Sequence, residues 1–217
     1  MKRIATMLCF AALALLTGQA MAQSTPDSTQ ASEAGIAYQM GLDYYQGNGI
    51  APDRAKAMEY FRKAAEQGHP GAMTQLGTAY YFGMGVEKDY RKAVQWYQKA
   101  ADKGHPEAMR HIGVCLEDGY GIQKNLAKSR EWYTKAAEAG DATAMYFLGE
   151  VYKNGTGVKA DDEKAAEWYE KAAEGGHGKA MVTIARCYDK GIGVEQSTEK
   201  ADYWYGKASE AGQYFFR

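Results

Sequence analysis

Lys92-Ala93-Val94-Gln95-Trp96-Tyr97-Gln98-Lys99-Ala100-Ala101 is the stretch that decides the fold. It returns 36 residues later as Lys128-Ser129-Arg130-Glu131-Trp132-Tyr133-Thr134-Lys135-Ala136-Ala137, and its aromatic pair recurs at Trp168-Tyr169 and Trp204-Tyr205 and, in weaker form, at Tyr60-Phe61. Five copies follow one another without an insertion. A fixed period of this length is the signature of a solenoid, whose units are too small to fold alone and bury their apolar faces on each other.

Outward from the aromatic pair, other columns keep the same register. A G-x-G stands at Gly47/Gly49, Gly83/Gly85, Gly119/Gly121, Gly155/Gly157 and Gly191/Gly193, and a single Gly closes each unit at Gly68, Gly104, Gly140, Gly176 and Gly212. In the second unit Ala72, Met73, Leu76, Gly77 and Tyr80 follow helical spacing. Gly83 can take the left-handed conformation that ends that helix. Asp89, like Asp53, Asn125, Asp161 and Ser197, is an N-cap residue for a second helix that buries Ala93, Trp96, Tyr97 and Ala100. Gly77 and the alanines let the two helices approach closely. Pro106 suits the first turn of the next unit. Each unit is therefore predicted to be helix–turn–helix, with repeats at 35–70, 71–106, 107–142, 143–178 and 179–213. The lysines that recur in the second helices (Lys56, Lys92, Lys128, Lys164, Lys200; Lys63, Lys99, Lys135, Lys171, Lys207) read as a solvated face.

Leu76-Gly77-x-x-Tyr80, Gly83-x-Gly85-Val86-x-x-Asp89 and Lys92-Ala93-x-x-Trp96-Tyr97-x-Lys99-Ala100-Ala101 together resemble the Sel-one-like repeat (SLR) family, a relative of the tetratricopeptide repeat with a longer inter-helix loop. All five units carry the resemblance. Departures are mild: Ala185 for Gly and Ser209 for Ala in the fifth unit, Leu116 for Tyr and Ser129 for Ala in the third, Tyr60 for Trp in the first. The resemblance implies an all-α, right-handed α/α solenoid of five 36-residue repeats, with first helices lining a concave side. One branch of the family has a disulfide in each repeat and binds β-lactams; the cysteine pairs of that branch are missing here, so the activity does not carry over.

Ahead of the repeats, Lys2 and Arg3 precede a short apolar run at residues 7–16, and Ala20-Met21-Ala22 matches a small-x-small cleavage site. The run is shorter than the roughly 20 residues a membrane span needs. A signal peptide at 1–22, cleaved after Ala22, is expected, and with it a periplasmic or secreted protein. Residues 23–34, polar with little to bury, are expected to be a flexible leader. Tyr214, Phe215, Phe216 and Arg217 form an aromatic tail, read as a lid on the last repeat or, failing that, a docking element.

Charge excludes some partners. The formal net charge is −1, and loss of residues 1–22 with Lys2 and Arg3 would make it −3, so no basic stripe for nucleic acid is expected, nor a patch for anionic membranes. Cys115 and Cys187 share a column two repeats apart. At about 10 Å per repeat they lie beyond the roughly 7 Å disulfide limit and should be buried free thiols. His69, His105 and His177 share a column in successive inter-repeat loops and cannot converge on one metal ion. Gly178-Lys179 lacks the rest of a phosphate loop, and Asn154-Gly155-Thr156, a glycosylation sequon by letter, is one of the G-x-G loops. No cofactor, metal ligand or catalytic residue is expected, and no enzyme.

Three first-helix columns change freely between repeats: Tyr38, Thr74, Arg110, Tyr146, Val182; Leu42, Thr78, Val114, Glu150, Arg186; and Tyr45, Tyr81, Glu117, Lys153, Asp189. Spaced four and three apart, they share one helix face. Such a face, free of packing duty and aromatic at one end, is the expected binding surface for a protein or peptide partner. The chain is accordingly expected to be an exported, monomeric interaction scaffold. A periplasmic regulator or immunity-type protein that blocks one partner, and a cell-wall or β-lactam hydrolase, are the alternatives.

Overall fold

In the second unit the chain turns from helix to loop at Gly83, whose φ of 75° lies in the left-handed region, and returns to helix at Asp89, whose carboxylate accepts a hydrogen bond from the backbone N–H of Lys92 at 3.0 Å. The same two events bound every unit. The computed structural model describes residues 27–213, with side chains from Glu33 onward. The described residues contain ten helices and no strand: α1 (Asp27–Gln46), α2 (Arg54–Glu66), α3 (Pro70–Phe82), α4 (Tyr90–Ala101), α5 (Pro106–Asp118), α6 (Leu126–Glu138), α7 (Ala142–Asn154), α8 (Asp162–Glu174), α9 (Gly178–Lys190) and α10 (Thr198–Glu210). Odd-numbered helices are the first helices of the repeats and even-numbered ones the second. Each helix packs most extensively on its neighbours in the chain, and more within a repeat than between repeats. That is the one-dimensional packing of an α-solenoid.

Within a repeat the joint is a ring over a glycine. Phe61, Tyr97, Tyr133 and Tyr169 are almost fully buried and lie so close over Gly41, Gly77, Gly113 and Gly149 that a Cβ at any of these glycines would collide with the ring. The fifth repeat, with Ala185 in place of Gly, buries Trp204 together with Tyr205. Between repeats the second Gly of G-x-G makes the close approach. A Cβ on Gly121 would strike the carbonyl of Tyr90, at the start of the preceding second helix.

One expectation is corrected and two are refined. In repeats two to four the tryptophan of the pair is not fully buried: Trp96, Trp132 and Trp168 are half-buried, because helical geometry points the adjacent position toward the rim and leaves the following tyrosine beneath the first helix. The lysine columns are solvent-exposed but not idle. Lys99, Lys135 and Lys171 lie 4.0, 4.6 and 4.4 Å from the ring centres of Trp96, Trp132 and Trp168, while Lys56, Lys92, Lys164 and Lys200 cover Tyr44, Tyr80, Tyr152 and Tyr188. Such cation–π contacts contribute about 0.5–1 kcal/mol at exposed sites. Finally, α1 begins at Asp27, inside the stretch expected to be leader, and Ala34 and Ala37 are already buried on one side of that helix. The expected signal peptide (1–22) and aromatic tail (214–217) lie outside the described residues.

Cys115 and Cys187 are buried free thiols, and burial pushes the Cys115 thiol up to about 12. None of the helices searched among the described residues is long and apolar enough to cross a membrane.

Candidate functional site

The first of the three variable columns turns out to be a joint. Its first four residues each meet the residue 31 positions later, which stands at the N-cap of the next first helix. Tyr38 stacks on His69 with centroids 4.3 Å apart, Thr74 Oγ1 lies 3.1 Å from His105 Nδ1, Arg110 Nε donates to Asp141 at 3.0 Å, and Tyr146 stacks on His177 at 4.7 Å. Thr74 is fully buried. The sequence varies here because each pair is matched separately, not because the column is free. His69 and His177 accept, through Nδ1, the backbone N–H of Ala72 and Ala180 at 3.2 Å, as an N-cap must. Burial holds both imidazoles below their ordinary range. Val182, at the last position of the column, is half-buried against the C-terminal core.

The second and third columns receive the hydroxyls of the buried tyrosines. Tyr97 Oη is 3.2 Å from Thr78 Oγ1, Tyr133 donates to Glu117 at 2.8 Å, and Tyr169 donates to Glu150. Burial first, then the adjacent carboxylates, raise the Tyr133 and Tyr169 phenols well above their ordinary value, so both remain donors. Leu42 and Val114 are half-buried against the core. Tyr45 is exposed and reaches Met84 Sδ at 3.4 Å. Tyr81 is edge-on to Phe82, Tyr90 and Tyr120. Lys153 and Arg186 are exposed, and Asp189 is intermediate.

Two clefts open on this face. One, of about 450 Å³ between α5 and α7, is lined by Val114, Glu117, Tyr133, Tyr146, Phe147 and Glu150, with Asp118, Asn154 and Thr156 at its edge. The other, of about 340 Å³ between α7 and α9, is lined by Tyr146, Glu150, Lys153, Tyr169, Arg186 and Lys190, among others. Tyr146 and Glu150 are common to both, so the clefts form one groove across repeats three to five. Of the fifteen residues expected on the binding face, Val114, Glu117, Tyr146, Glu150, Lys153 and Arg186 line it. The remaining nine lie elsewhere on the first helices. Sequence reasoning missed Tyr133, Tyr169, Phe147, Asn154 and Thr156. A signal for the two tyrosines did exist: a hydroxyl in a buried aromatic column needs an acceptor, and Glu117 and Glu150 stand one helix away.

His111 stacks on Tyr97 at 4.7 Å and faces Glu107 at 3.6 Å. Among the described residues, no group of three or more His, Cys, Asp or Glu is placed to hold a metal ion.

The Sel1 repeat model matches five consecutive segments, 37–69, 70–105, 106–141, 142–177 and 178–213. A search of curated proteins returns no match. Among solved structures, a Sel1 repeat protein from Oxalobacter formigenes is 33% identical, with a TM-score of 0.79 over 87% of this chain and 76% of that one. A protective antigen of uropathogenic Escherichia coli with an SLR fold is also 33% identical, with a TM-score of 0.73 over 85% of this chain. The match spans only 39% of the antigen's length. An immunity protein of Pseudomonas aeruginosa, 24% identical with a TM-score of 0.61 over 88% of this chain and 68% of its own, shares the fold.

Proposed function

Because the chain belongs to the Sel1 repeat family, whose members are typically non-catalytic scaffolds for protein interaction, we propose that it is an exported, non-enzymatic scaffold that holds a protein partner on its first-helix face. The observation that carries this is the groove across repeats three to five. It is walled by aromatic rings, as interface anchors commonly are. Its carboxylates and cations are either hydrogen-bonded to tyrosine or open to solvent, and the thiol in its lining, Cys187, is buried. Export is supported by the basic start, the short apolar run and the Ala20-Met21-Ala22 site.

Affinity capture from envelope extract tests it, with two variants as baits beside the unmodified chain. Lys153→Glu with Arg186→Glu should abolish recovery of the partner, while Lys99→Glu with Lys135→Glu, on the second helices, should leave it unchanged. The reverse pattern would move the interface to the other face. Finding the protein in the cytoplasm with residues 1–22 intact would remove the export.

A further inference from the structure

The groove's charges are sorted. In the cleft between α5 and α7 the lining includes Glu117, Asp118 and Glu150 and no cation. In the adjoining cleft, Lys153, Arg186 and Lys190 outnumber Glu150 and Asp162. None of Glu117, Asp118, Glu150, Lys153, Arg186 and Lys190 makes an ion pair with another described residue. Elsewhere the same molecule does pair its charges, as Arg110 does with Asp141 and Lys164 with Asp161. A purely acidic cleft on one side of α7 and a cleft with a surplus of cations on the other create a field along the groove, and such fields select partners of complementary charge order.

Resting on the first-helix face as the binding surface, we propose that the groove takes an extended peptide segment of the partner carrying one basic and one acidic side chain about three residues apart. The basic side chain enters the α5–α7 cleft. There Glu117 and Glu150 are already oriented by the hydroxyls of Tyr133 and Tyr169, and the rings of Tyr146 and Phe147 supply faces to a guanidinium or ammonium. The acidic side chain reaches Arg186 and Lys190 in the α7–α9 cleft, where a guanidinium can hold a carboxylate by two parallel hydrogen bonds. The spacing follows from geometry. The clefts lie on opposite sides of α7, so their centres are separated by about one helix-packing distance, roughly 10 Å. A chain extended in the polyproline II conformation advances about 3.1 Å per residue and returns to the same face every third residue, which places the two charges three positions apart on one side.

Blocked heptapeptides of serine and alanine test this by NMR titration against the unmodified chain. One carries arginine and glutamate three apart, one carries only the arginine, one only the glutamate, and one carries two arginines. The bipolar peptide should bind about tenfold or more tightly than any of the others, in keeping with like-charge contacts being disfavoured, and should shift the resonances of Tyr146, Phe147 and Arg186. Glu117→Gln, whose amide oxygen still accepts from Tyr133, should weaken only peptides containing arginine. Arg186→Gln should weaken only those containing glutamate. Equal binding of all four peptides, or losses that ignore the peptide's charges, would overturn the inference. So would the absence of any peptide binding while the Lys153→Glu, Arg186→Glu bait still loses its partner, a result that leaves the groove in place and removes the charge spacing. If the bait variant also retains its partner, the groove itself fails.

Discussion

Around the first two repeats the outer tyrosines other than Tyr45, which reaches Met84 Sδ, are occupied by neighbouring rings. Tyr81 is edge-on to three rings, Tyr90 stacks on Tyr120 at 4.7 Å, and Tyr44 stacks on Tyr60 at 5.5 Å. In repeats three to five the positions of Tyr45 and Tyr81 are taken by Glu117, Lys153 and Asp189; Glu117 is hydrogen-bonded to a phenol, Lys153 is open to solvent, and clefts lie between the helices. Both halves share one backbone and one set of glycine joints. The difference lies in three columns of side chains. An aromatic-rich surface is therefore not by itself a binding surface, because rings that touch each other already have their partners. The half with charges and empty space is the one shaped for something else.

The largest effect that would sharpen this contrast is at the shared joint. Tyr133→Ala removes a buried ring over Gly113 and should cost about 3–5 kcal/mol, read as a lower midpoint in urea unfolding. The neighbouring Trp132→Ala, half-exposed, should cost clearly less. Equal losses would mean that the tryptophan column is core after all. Next, Tyr81→Ala in the closed half should lose roughly 2–3 kcal/mol through its three ring contacts without changing partner affinity, whereas Arg186→Ala in the open half should do the opposite. A Tyr81→Ala protein that kept its stability and lost its partner would merge the two halves into one interface.

Smaller again is the effect of pH on the joints. His69 and His177 are held below the ordinary imidazole value chiefly by burial, so the folded chain binds fewer protons than the unfolded one. Their contribution is complete above about pH 6.5 and is lost as pH falls through the lower folded values, because a protonated Nδ1 cannot accept the capping N–H. The joint between repeats three and four has Asp141 in that position, accepting from Ala144 at 2.7 Å, and no imidazole to protonate. Hydrogen exchange, corrected for intrinsic rates, should show protection of Ala72 and Ala180 falling between pH 7 and pH 5 while Ala144 holds. Uniform loss at all three would place the pH response elsewhere.

The period, the caps and the close approach of the paired helices were legible from the chain alone, since a helix of thirteen residues with an Asp before it and a left-handed Gly after it, as in α7, has few other solutions. Repeat boundaries fall within two residues of the family segments. The binding columns were only partly legible. Variation between repeats looks the same whether a position is free, like Arg186, or matched pair by pair across a joint, like Arg110 with Asp141. That distinction depends on a contact 31 residues away. Nor did apolar periodicity separate Trp96 from Tyr97, since adjacent large rings both look buried until the glycine beneath one of them is located.

Which helices the partner covers is decisive. Once the captured partner is purified, hydrogen exchange of the chain with and without it gives that directly. Slowed exchange concentrated in α5, α7 and α9, with α4, α6 and α8 unchanged and the first two repeats little affected, is the predicted footprint. Protection on α4, α6 and α8, along the stacked lysine and tryptophan columns, would contradict it.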